Sequence, residues 1–155
     1  MKISNLLRSE NIFLGKNLQS KKSVLQTLSL ELSLTTKRVT ESYVLERLLA
    51  RERLGTTGLG GGIAIPHARI DIIKDPLAVF LRTMTPVSFD ALDEKPVDLF
   101  FAICIPEGEN DQYLDFIAIL AETFQDNSCL RDLRLAASEK QILDTLSSRM
   151  VTNCE

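Results

Sequence analysis

The sequence has no tryptophan, a single histidine, three cysteines, and no apolar run near the roughly 20 residues a membrane-spanning helix needs. Cys104, Cys129 and Cys154 are odd in number and lack CxxC spacing, so they read as reduced, non-catalytic thiols rather than a disulfide framework. With His67 the only imidazole, no zinc-like ligand set can be assembled, and neither a metal nor another cofactor is expected. The opening MKISNLLRSE reaches Arg8, Ser9 and Glu10 before any secretory apolar region develops, which points to a cytoplasmic protein without membrane insertion. Basic residues are dispersed and not interleaved with aromatics, which argues against nucleic-acid binding.

What is present suits one globular domain. A chain of 155 residues with 45% hydrophobic and 25% charged residues can bury a core without disulfides, and no linker or repeat divides it. We expect a single domain over residues 1–155, with its core within about 3–148. The charge is uneven: up to Arg69 there are 11 Lys and Arg against 5 Asp and Glu, and beyond it 7 against 16. That imbalance reflects either differently solvated faces of one domain or a docking surface for a protein partner.

Along the chain, Ser20 is placed to cap a helix whose Val24, Leu25, Leu28 and Leu32 form one stripe. Thr40 opens a second helix, with Val44, Leu45, Leu48 and Leu49 inward, Arg47 and Arg51 on the opposite face, and Gly55 ending it. Ile63–Ile65 reads as a short strand closed by Pro66 and His67. Residues 77–83 and 97–105 read as buried strands, and 87–89 as a separate short edge strand. Asn110 or Asp111 is placed to cap a third helix carrying Leu114, Ile117, Ala118, Ala121 and Phe124 inward. Ser138 and Gln141, at capping-box spacing, open a last helix through Ile142, Leu143 and Leu146. The pattern predicts an α/β single-domain sandwich, a central mixed β-sheet with helices on both faces.

The lone histidine follows a glycine cluster in GTTGLGGGIAIPHARI, residues 55–70. Clustered glycines let backbone N–H groups converge on an oxyanion, and Gly60, Gly61 and Gly62 are candidates for holding a phosphoryl group. The segment lacks the Lys and Ser/Thr of a P-loop and any GxGxxG completion, so nucleotide binding is disfavoured. No nucleophile elbow accompanies His67, which disfavours a hydrolase triad. Two readings remain: a polar residue at a strand end beside a tight connection, or a neutral imidazole that is itself the nucleophile, served by oxyanion donors and an arginine.

RERLGTTGLGGGIAIPHA, Arg51 to Ala68, closely resembles the active-site signature of the fructose/mannitol-class enzyme IIA domains of the bacterial phosphoenolpyruvate-dependent phosphotransferase system. There an acidic or amide residue, here Glu52, precedes an apolar-glycine pair, here Leu59 and Gly60, and the motif ends Ile-Ala-Ile-Pro-His. QSKK (19–22), FDALDEKPVDLFFAICIP (89–106) and LRLAASEKQIL (133–143) resemble the nitrogen-regulatory branch of that family. The resemblance implies that His67 is the phosphoacceptor and that Arg51 stabilises the phosphoryl group. Tyr113 stands where the family often has a second histidine; a phenol can donate one hydrogen bond there but cannot become cationic near neutral pH. The implied partners are a histidine-containing phosphocarrier protein and regulatory proteins such as kinases or potassium-transport proteins. The implied role is a phosphorelay component rather than a stand-alone turnover enzyme. Alternatives are a sugar-specific IIA passing its phosphoryl group to a IIB domain, and a binding module that is never phosphorylated.

Overall fold

The computed structural model describes residues 1–108 and 112–151. The expected cap at Asn110 or Asp111, and Cys154, lie outside the described residues. The elements run α1 (Ile3–Leu6), a 3-10 turn (Ser9–Asn11), β1 (Ile12–Lys16), α2 (Lys21–Leu34), α3 (Glu41–Leu54), β2 (Gly58–Gly60), β3 (Ile63–Ala64) and β4 (His67–Ile70). Then follow β5 (Leu77–Val87), β6 (Val97–Pro106), α4 (Gln112–Thr123), α5 (Asn127–Leu135) and α6 (Glu139–Val151).

The helix starts are chemically specified. Ser20 and Ser23 form a reciprocal capping box at α2, with Ser23 N–H donating to Ser20 Oγ at 3.0 Å and Ser20 N–H to Ser23 Oγ at 3.1 Å. Thr40 Oγ1 accepts from Tyr43 N–H at α3. At α6 Ser138 Oγ accepts from Gln141 N–H, while the Gln141 side chain reaches back to the amide of Ala137. The inward face of α4 differs from the expected one. Phe116, Leu120 and Thr123 are buried, with Phe124 just beyond the helix, whereas Leu114 and Ala118 face solvent because the helix is rotated to pack its Phe116–Leu120 edge.

β6 is the centre of the sheet, whose order is β1-β5-β6-β3-β2, with β4 also on β6. β5 lies antiparallel to β6 on one side, while β3 and β4 lie parallel to it on the other. Leu99, Phe101, Ile103 and Ile105 of β6 enter a cluster with α4, α5 and α6; Phe100, Ala102 and Cys104 enter a second cluster with α2 and α3. The sheet is therefore covered on both faces, as expected, which is why β6 reads as a continuous apolar run.

One strand boundary is corrected. Residues 77–89 hold a single strand to Val87 rather than two, and Phe89 is buried outside it. The β5–β6 register breaks between Arg82 and Val87, so Pro86, which has no N–H, sits where the ladder is already interrupted.

The glycine segment is built by close packing. A Cβ on Gly58 would fall 2.8 Å from Ala91 Cβ and 2.9 Å from Ala91 Cα. Gly58→Ala should therefore destabilise the protein by about 1–3 kcal/mol, as for other overpacked sites. Urea unfolding measures this, and stability equal to the unmodified protein would mean that the 89–96 loop yields freely.

Candidate functional site

Two arginines one turn apart tie α3 to β4. Arg47 Nε donates to the Arg69 carbonyl at 3.0 Å, and Arg51 Nε donates to His67 Nε2 at 3.2 Å. Four helical residues rise about 6 Å and two strand residues about 6.6 Å, so the two spacings match. The polar face of α3 is thus an anchor rather than a solvated surface. Val44 and Leu48, each three residues before one of these arginines on a neighbouring stripe of the helix, are fully buried in the cluster that includes Ala68 and Ile70 of β4, so apolar packing holds α3 against the sheet beside these contacts. Arg51 Nη1 also donates to the Gly55 carbonyl at 2.9 Å, which folds the guanidinium back across the helix end.

His67 opens β4 and is half-buried. Its Nδ1 lies 2.7 Å from the Ile65 carbonyl oxygen. A carbonyl oxygen can only accept, so the proton resides on Nδ1; the Arg51 N–H opposite Nε2 demands a lone pair there. Both contacts select one tautomer. Burial lowers the pKa of His67 below the ordinary 6.5; the Ile65 carbonyl acts against that, the Arg51 charge adds to it and Glu52 opposes it. The site therefore presents a neutral imidazole whose Nε2 lone pair faces a guanidinium, an arrangement able to attack an electrophilic phosphorus and hold the oxygens that arrive with it.

Glu52, adjacent to Arg51, is turned inward with its side chain 5% exposed. Its Oε1 accepts from the Thr57 amide at 3.1 Å and from the Thr57 hydroxyl. Lys21 Nζ lies 3.0 Å from Oε2 but off the hydrogen-bonding direction, so among the described residues that oxygen is held by charge alone. Lys21 also packs over the Phe89 ring, 4.7 Å from its centroid. Sequence reasoning quoted Glu52 within the motif but gave it no role, and it missed Thr57 and Lys21. Nothing in linear spacing signals that a lysine 31 positions earlier reaches the same carboxylate.

The glycine candidates do not join this centre. Ile63 pairs with Leu99 and His67 with Ile103, four residues along the same strand, which is about 13 Å. Gly60, Gly61 and Gly62 form the β2–β3 turn on the far side of Ile63. Gly61 N–H is already donated to Asp93 Oδ2 at 3.0 Å, and its carbonyl accepts from Arg134 Nη2 at 2.7 Å. Arg134 is in turn bidentate to Asp98. Gly62, at φ +83°, accepts from the Asp98 and Leu99 amides, and a side chain there would collide with Arg134. Their conformational freedom serves a pinned hairpin turn, not an oxyanion beside His67. Tyr113 is the second residue of α4, partly buried against the α4–α6 cluster and lining a cleft of about 870 Å³ with Arg8, Arg38 and Lys74. His67 does not line that cleft, and among the described residues the phenol makes no hydrogen bond to the imidazole.

Residues 5–149 match the sequence profile of the family described as phosphoenolpyruvate-dependent sugar phosphotransferase system, EIIA 2. The chain belongs to this family. The nitrogen regulatory protein homolog of Haemophilus influenzae is 40% identical over 146 residues, covering 92% of this chain and 88% of the relative. The nitrogen regulatory protein of Klebsiella oxytoca is 35% identical over 150 residues, covering 95% of this chain and 91% of the relative. Nitrogen regulatory protein IIA-Ntr from Neisseria meningitidis superposes with a TM-score of 0.88 at 36% identity, covering 93% of this chain and 98% of that one. Enzyme IIA-mannitol from Escherichia coli, solved in complex with phosphorylated enzyme IIB-mannitol, superposes at 0.77 with 26% identity, covering 92% and 97%. This type 2 IIA chain thus shares the fold and the nitrogen-regulatory kinship read from its sequence. Among its described residues no helix is long and apolar enough to cross a membrane, and no cluster of metal-ligating side chains occurs.

Because His67 is the only histidine, its ring protons are unambiguous in an NMR titration. Its midpoint should fall below 6.5. In the unfolded chain the ring takes up a proton at higher pH than in the fold, so the stability it contributes is complete above pH 6.5 and is lost as pH falls below it. His67→Ala should flatten that part of the stability profile; a titration at or above 6.5 would contradict the burial argument.

Proposed function

We propose that the protein is a phosphoryl carrier of the nitrogen-regulatory type that accepts a phosphoryl group on His67 Nε2 from a phosphohistidine carrier protein. The observation that carries this reading is the single imidazole whose Nε2 lone pair is held beside Arg51 while Nδ1 is fixed on a carbonyl. In the transfer a bond forms between Nε2 and phosphorus as the bond from phosphorus to the carrier's imidazole nitrogen breaks, its electron pair returning to that ring. The charge that builds on His67 is stabilised through Nδ1–H by the Ile65 carbonyl, and Arg51 exchanges Nε2 for the phosphoryl oxygens. Such a group adds nearly two negative charges at a half-buried spot, enough to alter which proteins dock there. Regulatory proteins are the proposed readers of that change, and a cytoplasmic location follows from such partners.

The similarity to nitrogen regulatory proteins at 34–40% identity supports the regulatory role over a sugar-specific one. A fructose-specific EIIA component from Haloferax volcanii is nevertheless 32% identical, so delivery to a IIB domain is the second reading. Both use the same His67 chemistry. A never-phosphorylated module would have no use for an imidazole poised in one tautomer against a guanidinium.

Incubation with phosphoenolpyruvate, enzyme I and the carrier protein, followed by intact mass, should show one acid-labile phosphoryl group. His67→Ala should remain folded, at a cost near 1 kcal/mol, and accept none. Phosphate on that variant would overturn the assignment.

Arg51→Lys keeps charge but loses the planar fork that matches phosphoryl oxygens. Transfer at subsaturating carrier should slow by roughly tenfold, which corresponds to about 1.4 kcal/mol in the transition state. Arg53→Lys, on an exposed position two residues away, should not slow it. Equal rates for all three proteins would return Arg51 to a purely structural role.

A further inference from the structure

The hydrogen bond that sets the His67 tautomer is made to a carbonyl for which, in an ordinary β-ladder, a backbone amide would compete. Gly58 pairs with Ala64 across the antiparallel β2–β3 hairpin, and one step further Ile65 N–H donates to the Thr57 carbonyl at 3.0 Å. A hydrogen-bonded antiparallel pair normally exchanges two bonds, so the Thr57 amide would be expected to donate back to the Ile65 carbonyl. It does not. That amide is turned to Glu52 Oε1 at 3.1 Å, and the Ile65 carbonyl receives His67 Nδ1 instead, at 2.7 Å. On the other side, Pro66 has no N–H, and its carbonyl accepts from Ile103, so β6 makes no claim on Ile65.

We infer that Glu52 is a positioning residue for phosphoryl transfer: by capturing the Thr57 amide and hydroxyl it leaves the Ile65 carbonyl to His67 Nδ1–H, and so keeps the Nε2 lone pair exposed to the incoming phosphorus. Glu52 touches neither the imidazole nor the phosphoryl group. It acts through Thr57 and Ile65, and Lys21 beside Oε2 holds the inward-turned carboxylate by charge. Its position next to Arg51 places both controls of the imidazole on one helical turn, one acting on each ring nitrogen. The inference rests on Nε2 being the phosphoacceptor.

Glu52→Leu removes the acceptor while filling similar space, and Glu52→Gln retains an oxygen for Thr57 while discarding the charge. Nitrogen-15 spectra of the unphosphorylated proteins report which ring nitrogen of the single histidine carries the proton. The leucine variant should show a substantial Nε2–H population and transfer about tenfold more slowly at saturating carrier, with the carrier KM within twofold of the unmodified protein. The glutamine variant should restore both the tautomer and the rate. An Nδ1–H tautomer as complete in Glu52→Leu as in the unmodified protein overturns the inference, as does equal loss in the glutamine variant.

A coupling experiment on the unmodified protein covers the case in which the leucine variant does not fold. A hydrogen-bond coupling from the Thr57 amide to the Ile65 carbonyl contradicts the inference, and its absence beside an Nδ1–H ring supports it. Failure of the unmodified protein to accept phosphate would sink the functional reading and with it the transfer role of Glu52, whereas the tautomer spectra need no phosphoryl donor and separately decide whether Glu52 sets the protonation of the ring.

Discussion

The burial of β6 on both faces is the constraint from which the site follows. From Leu99 to Ile105 every side chain is enclosed, so the strand can shift neither sideways nor in register without turning core residues into the wrong layer. β3 and β4 add to the same edge in one continuous register, Ile63 with Leu99 and His67 with Ile103, interrupted only at Ile65 and Pro66. That interruption is where the proposed phosphoacceptor sits. A proline that cannot donate to the ladder allows the chain to leave it for two residues, and the carbonyl freed there meets the imidazole that follows.

Around this break the protein holds a polar group at each nitrogen of one ring. Arg51 faces Nε2 and the Ile65 carbonyl faces Nδ1, with each contact fixing the protonation that the other requires. Partial burial favours the neutral ring, the form the proposed nucleophile needs. The arginine has two uses in sequence. It is a hydrogen-bond donor to the resting imidazole and, in the proposed transfer, a partner for phosphoryl oxygens, so the charge is already in place when the phosphorus arrives.

The glycines show how one residue type serves a purpose other than the expected one. A cluster of small residues before a histidine suggests a cradle for an anion, but here Asp93 occupies the Gly61 amide and Arg134 the Gly61 carbonyl. The turn is a clamp on the end of the β2–β3 hairpin. Tyr113 likewise belongs to the α4 side of the sheet and its cleft, and gains no contact with the ring from the second helical position alone.

The sequence by itself determined the two-sided sheet and the capped helices, and it singled out His67 and Arg51 as candidates, because apolar periodicity, cap chemistry and the local motif are written in neighbouring residues. It also placed Glu52 inside the motif. Tertiary structure alone decided what Glu52 does, since Lys21 and Thr57 converge on its carboxylate from α2 and from the chain leading into β2. Tertiary structure also decided that Gly60–Gly62 lie about 13 Å or more along the sheet from the imidazole. Strand register and helix rotation are set by packing against β6, and a register is a relation between distant segments that no single stretch of chain contains.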